Sequence, residues 1–286
     1  MGFFDRSKRK KGAEKSAGRK TGEQANTEAP SVPAPEAETK AIILLGKNVG
    51  LDAVSRAAEA KFGPQVLASA DNSHPLAPAV YFQLEGVEFF CSYMAMPHPP
   101  QVADLAAIPA GLFSPEEREE MLKHQAFLVL AQRDGGTTLE DKRRLCCLFT
   151  RLAAALLETE SASGVYVSSA ELLISRSVYL KHAGILEQNL QDPAYFPAPL
   201  WISIRHGQKG EYPLIGTWGL KQFGLLELWF LSPDADWAEI HQRLYLLSIF
   251  EITGKDLYKN MDTIQFTPGK TSVFKELHGA LFITAG

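Results

Sequence analysis

The 286-residue chain is long enough for one large domain or two small ones. With 45% hydrophobic and 22% charged residues it has the composition of an ordinary soluble globular protein, and a formal net charge of −4 argues against nucleic-acid binding by the surface as a whole. Three cysteines, Cys91, Cys146 and Cys147, make no disulfide framework, which points to a reducing cytoplasm.

The charge is unevenly spread. Residues 1–20 hold eight Lys and Arg against Asp5 and Glu14, so the remaining residues carry 21 basic and 31 acidic side chains. Residues 1–40 are rich in Lys, Glu, Ala, Pro, Ser and Gly and contain no aromatic residue after Phe4. Such a stretch buries too little apolar surface to offset its ordering entropy, so a disordered basic tail followed by a Pro/Ala/Glu linker is expected. The cluster Arg6, Lys8, Arg9, Lys10 and Lys11, beside Phe3 and Phe4, is a candidate electrostatic tether for peripheral membrane contact. A solubilising tail is the plainer expectation. No apolar run approaches the roughly 18–20 residues of a membrane span, and the start of the chain lacks the apolar core of a secretory leader.

From Ala41 the pattern becomes that of a folded domain spanning 41–286. AIILLG reads as a buried strand and Leu51–Phe62 as an amphipathic helix. Val80–Met94 reads as a hairpin about the two-residue turn Glu85-Gly86. In that register Leu84 faces Val87, Phe82 faces Phe89 and Val80 faces Cys91. Ser114-Pro115-Glu116-Glu117 combines an N-cap, a first-turn proline and a capping box. Ala126–Gln132 reads as a buried strand. Thr138 caps the longest helix, about Leu139–Glu158, whose apolar stripe runs through Leu145, Phe149, Leu152 and Leu156.

Gly164–Ser168 then reads as a strand, Ala170–His182 as a helix and Leu200–His206 as a strand with Trp201, Ser203 and Arg205 on one face. Tyr212–Ser232 reads as a second hairpin turning at Gln222-Phe223-Gly224. Ser232-Pro233-Asp234 opens a helix to about Thr253. Its stretch Leu244–Ile252 is apolar nearly all round, and deep burial is expected there. The order predicts an α+β fold of antiparallel meanders covered by helices, in two loosely similar halves of about 41–125 and 126–286. A duplicated ferredoxin-like unit is one form the pattern allows.

Motifs that carry chemistry are absent. The seven histidines show no His-x-His or His-Glu-x-x-His spacing, and no metal or cofactor is implied. His124, at a helix C-terminus, suits a structural role against the helix dipole. Pro268-Gly269-Lys270-Thr271 imitates the end of a P-loop, but Ile264 stands where that motif needs glycine. No Gly-x-Ser-x-Gly elbow occurs. Glu227, in an apolar strand, must be paired, protonated or at an opening. With Arg205 as its candidate partner, it defines a candidate pocket of Glu227, Arg205, Trp201 and Trp218.

His124-Gln125-Ala126, Gly164-Val165-Tyr166, Leu200-Trp201-Ile202 and, above all, Gly216-Thr217-Trp218-Gly219-Leu220 with Phe223-Gly224 and Glu227 resemble the bacterial domain of unknown function 4261. The resemblance covers about residues 41–286. It implies bacterial origin and a whole-domain fold, and carries no catalytic residue. The expectation is therefore a cytoplasmic, non-catalytic accessory module binding another protein. The second expectation is an enzyme or small-ligand binder using the pocket around Glu227 and Arg205.

Overall fold

The computed structural model describes residues 40–71, 78–98, 114–132, 136–209, 212–231, 237–255, 257–267, 270–277 and 279–285. The tether residues Arg6, Lys8, Arg9, Lys10 and Lys11 lie outside the described residues, as does the helix start at Ser232-Pro233-Asp234.

The described part, within the compact unit Ala37–Gly286, is an α+β fold with two sheets. In chain order, β1 is Lys40–Leu45, α1 Gly50–Phe62, β2 Leu67–Asp71, β3 Ala79–Leu84, β4 Val87–Met94, α2 Pro115–Leu122, β5 Ala126–Gln132, α3 Leu139–Leu157, β6 Ala162–Val167 and β7 Leu172–Ser175. These seven strands make one antiparallel sheet in the order β2-β3-β4-β5-β1-β6-β7. After α4 (Arg176–Gln188) and the single helical turn α5 (Ala198–Trp201) come β8 Ser203–Lys209, β9 Tyr212–Trp218 and β10 Glu227–Leu231. Then follow α6 Trp237–Ile252, β11 Thr263–Thr267, β12 Lys270–Leu277 and β13 Ala280–Ala285. The second sheet runs β11-β12-β13-β10-β9-β8: two three-stranded meanders joined by the parallel pair β10–β13.

The sheets divide the chain between Ser175 and Ser203, not at 125/126, and neither has the four strands of a ferredoxin-like unit. The cause is β1. It lies between β5 and β6, so residues 126–175 complete the sheet that residues 40–94 begin.

Local chemistry explains the element ends. Glu85 (φ 51°) and Gly86 (φ 82°) both have positive φ, the signature of the tight turn that matches strand twist, and the β3–β4 register is Leu84↔Val87, Phe82↔Phe89 and Val80↔Cys91. Both capping boxes form, Ser114 with Glu117 and Thr138 with Asp141. Ser175 caps α4, so Leu172–Ser175 is a buried strand where a helix was expected from Ala170. Four apolar or small residues in a row satisfy either period, and edge pairing to β6 decides.

One core joins both sheets through α3, whose Phe149 meets Phe89 of the first sheet at 6.1 Å and Trp201 at 5.4 Å. The other face of the first sheet carries a small cluster of Leu44, Met121 and Leu173 under α2. Gly164 is required there, because a Cβ would stand 2.7 Å from the Ile174 carbonyl oxygen.

Candidate functional site

The hairpin of β9 and β10 holds Glu227, which is only 4% exposed. Its turn is wider than the sequence suggested: a 3-10 segment over Leu220–Phe223 closes on Gly224 in the left-handed conformation, and β10 starts at Glu227. Three donors converge on the carboxylate. Thr217 Oγ1 donates to Oε2 at 2.8 Å, and the backbone N–H groups of Gly219 and Lys221 donate to Oε1 at 2.9 and 3.2 Å. Thr217 Oγ1 in turn accepts from Leu228 N at 2.8 Å. These charge-assisted bonds compensate the desolvation of a buried carboxylate and tie strand, turn and strand together.

The glycines of the same segment answer to packing. At Gly216 a Cβ would meet the Trp229 ring at 2.4 Å. Gly219 has φ +124°, and a Cβ there would lie 2.4 Å from the Trp201 carbonyl oxygen. The Gly216–Leu220 run with Glu227 is thus a self-contained clasp.

The four-residue pocket does not assemble. Arg205 pairs with Glu171 at 2.6 Å and lies 4.5 Å from the Trp218 ring centroid, so Arg205 and Trp218 are together as expected. The partner found for Arg205 is Glu171, not Glu227. Glu171 sits in the β6–β7 turn with φ 45°. Trp201 belongs to α5, not to a strand. It is fully buried, with Nε1 donating to Thr150 Oγ1 at 3.0 Å. Pro197 and the bond from Ile202 N to the Ala198 carbonyl close that helical turn, which delays the strand to Ser203.

A second buried carboxylate escaped the sequence reading. Glu251, 2% exposed, closes α6, and its Oε2 has no hydrogen-bond partner. Burial first, and the neighbouring Glu227 charge in addition, push its pKa up to about 8, against the backbone hydrogen bond at Tyr258 that lowers it. The only signal was a lone acid inside the apolar run Leu244–Ile252. That helix is buried on one face only, since Leu246 is 48% exposed.

A cleft lies elsewhere. It holds about 410 Å³ between α3, the β3–β4 turn and the segment after α4. Arg143, Arg144 and Arg151 of α3 line it together with Leu186, Leu190 and Phe196. Arg144 donates to the Glu85 carbonyl at 2.7 Å, Arg151 pairs with the Glu85 carboxylate and with Glu187 at 2.9 Å, and Arg143 donates to the Thr253 carbonyl at 3.3 Å. Those contacts fix a non-glycine residue at the positive-φ position 85. The sequence signal was Lys142-Arg143-Arg144 followed seven residues later by Arg151, on the side of α3 away from its apolar stripe.

Nucleophilic chemistry finds no support in the thiols. Burial pushes Cys91 up to about 12 and Cys147, which lines the cleft, up to about 11, so both are protonated thiols at neutral pH. His124 is buried after α2. Its Nδ1 lies 2.8 Å from the Met121 carbonyl and its Nε2 accepts from His98 N at 3.0 Å. Among the described residues no three His, Cys, Asp or Glu side chains gather as a metal site, and no helix is long and apolar enough to cross a membrane. Lys270, from the P-loop-like tetrapeptide, opens β12, followed by strand and not helix.

No family model, no curated protein and no solved structure matches the chain.

Proposed function

We propose that this protein is a non-catalytic, cytoplasmic binding module of bacteria, of the kind represented by the domain of unknown function 4261, and that its cleft between α3 and the segment after α4 takes an acidic, partly apolar segment of another protein. One observation carries the proposal: three arginines of a single helix converge with exposed and buried apolar side chains in one cleft of about 410 Å³. Arginine suits such a surface because its planar fork binds carboxylates in pairs and its stem packs on apolar groups. Leu190 is 43% exposed at the rim and Tyr195 44% exposed nearby, a dry anchor beside a charged wall. Glu85 occupies two of the guanidinium groups, and an incoming carboxylate would exchange with it. The small-ligand reading around Glu227 and Arg205 loses its support, because each residue is committed to other partners.

Affinity capture from the native host, run in parallel on wild type, an Arg143→Ala/Arg144→Ala variant and Glu227→Gln, tests the proposal. A protein held by wild type and Glu227→Gln but lost from the arginine variant is the expected result. A partner retained equally by all three, or lost only with Glu227→Gln, overturns it.

A further inference from the structure

His206 and His241 come from elements 35 residues apart and meet at one end of the second sheet. Along β8 the side covered by α6 carries Ile204, which is buried, and then His206, which is exposed. On α6, Trp237 and His241 are one turn apart and share a face. The His206 ring packs edge-on against Trp237 at 5.3 Å and lies 5.5 Å from the His241 ring. The two Nε2 atoms face each other across 3.4 Å.

That separation suits two uses of a histidine pair. A direct N–H···N bond between imidazoles would bring the nitrogens to about 2.7–3.2 Å. Two zinc–nitrogen bonds of about 2.0–2.1 Å at the tetrahedral angle set them about 3.3–3.4 Å apart. The observed 3.4 Å matches the chelate bite and is a long contact for a hydrogen bond between the rings.

The bite is also held from outside the pair. Ile240, Leu244 and Leu247 anchor α6 in the core, and β8 pairs with β9 from Ser203↔Trp218 to Lys209↔Tyr212. Little rearrangement is then needed to accept an ion, while solvent reaches both rings, His206 being exposed and His241 half-buried.

We propose that His206 and His241 form a binding site for a borderline divalent transition ion such as Zn²⁺ or Cu²⁺. The remaining coordination positions are open to water. Imidazole nitrogen selects these ions over Mg²⁺ and Ca²⁺, which take oxygen donors. Because no third His, Cys, Asp or Glu side chain joins the pair among the described residues, the ion is exchangeable, not a buried structural one.

The test is equilibrium dialysis of the full chain against Zn²⁺, repeated with Cu²⁺, using wild type, His206→Ala, His241→Ala and the remote control His182→Ala. Far-ultraviolet circular dichroism checks that each variant is folded. The expected result is one ion per chain for wild type and the control, with affinity at least tenfold weaker in each single variant of the pair. Binding by wild type that the folded His206→Ala and His241→Ala variants leave unchanged overturns the proposal. So does a wild type that takes up neither ion.

Discussion

The clasp of the second sheet and the cleft on α3 place charge in opposite ways. In the clasp, one carboxylate is almost wholly removed from water and its hydrogen bonds come from its own hairpin, from Thr217 and from the turn that precedes it. In the cleft, three arginines line one wall, Arg144 half-exposed, and their contacts reach the β3–β4 turn, α4 and the end of α6. The clasp therefore demands particular residues at adjacent positions and reads as a specific motif. The cleft demands only positive charge on one helix face, which looks like any solvated helix. Motif specificity here measures how tightly a segment is packed on itself, and the surface able to meet a partner has the plainer sequence.

Removing the clasp's centre should have the largest effect. Glu227→Ala leaves the donors of Thr217, Gly219 and Lys221 without their acceptor, and at about 1–3 kcal/mol for each one left buried a loss on the order of 3 kcal/mol or more is expected in urea unfolding. A loss below about 1 kcal/mol would show that the clasp is dispensable.

The second effect is a pH dependence. Glu251 holds its proton in the folded chain up to about pH 8, whereas in the unfolded chain it releases it near its ordinary value of 4.5. The unfolded state thus binds fewer protons between these values, so stability falls as pH rises through that window and levels off above it. Glu251→Gln should flatten that slope and raise the unfolding free energy at pH 8 relative to wild type, by an amount on the order of a few kcal/mol. Parallel wild-type and variant curves from pH 5 to 8 would refute this.

The smallest effect separates the regions most sharply. Arg144→Ala, which removes a half-exposed pair, should change stability by no more than about 0.5 kcal/mol while weakening partner capture.

Legibility followed the range of the interactions. The Val80–Met94 hairpin, the Ser114 capping box, the cap at Thr138 and the bounds of α3 are readable because each depends on residues a few positions apart. The place of β1 between β5 and β6 and the parallel pairing of β10 with β13 were not, because no local period encodes which strand completes a sheet. Glu227 was legible as a residue that needed partners, yet the partners are backbone groups, which carry no sequence signature. The place of Arg205 at the end of the preceding strand makes it a candidate partner for Glu227, whereas Glu171, a turn residue 34 positions earlier, holds it.

The parallel pair β10–β13 bears on how the chain can be made. Residues of β10 reach their second neighbour only after some fifty further residues have been synthesised, since β13 begins at Ala280. The seven-stranded sheet, by contrast, has all its strands once Ser175 has been translated. Assembly on the ribosome is then two-stage, with the first sheet free to close while one side of β10 still waits for its strand. A released chain that ends between 232 and 279 would present that open strand edge, with Phe230 on it, to other chains.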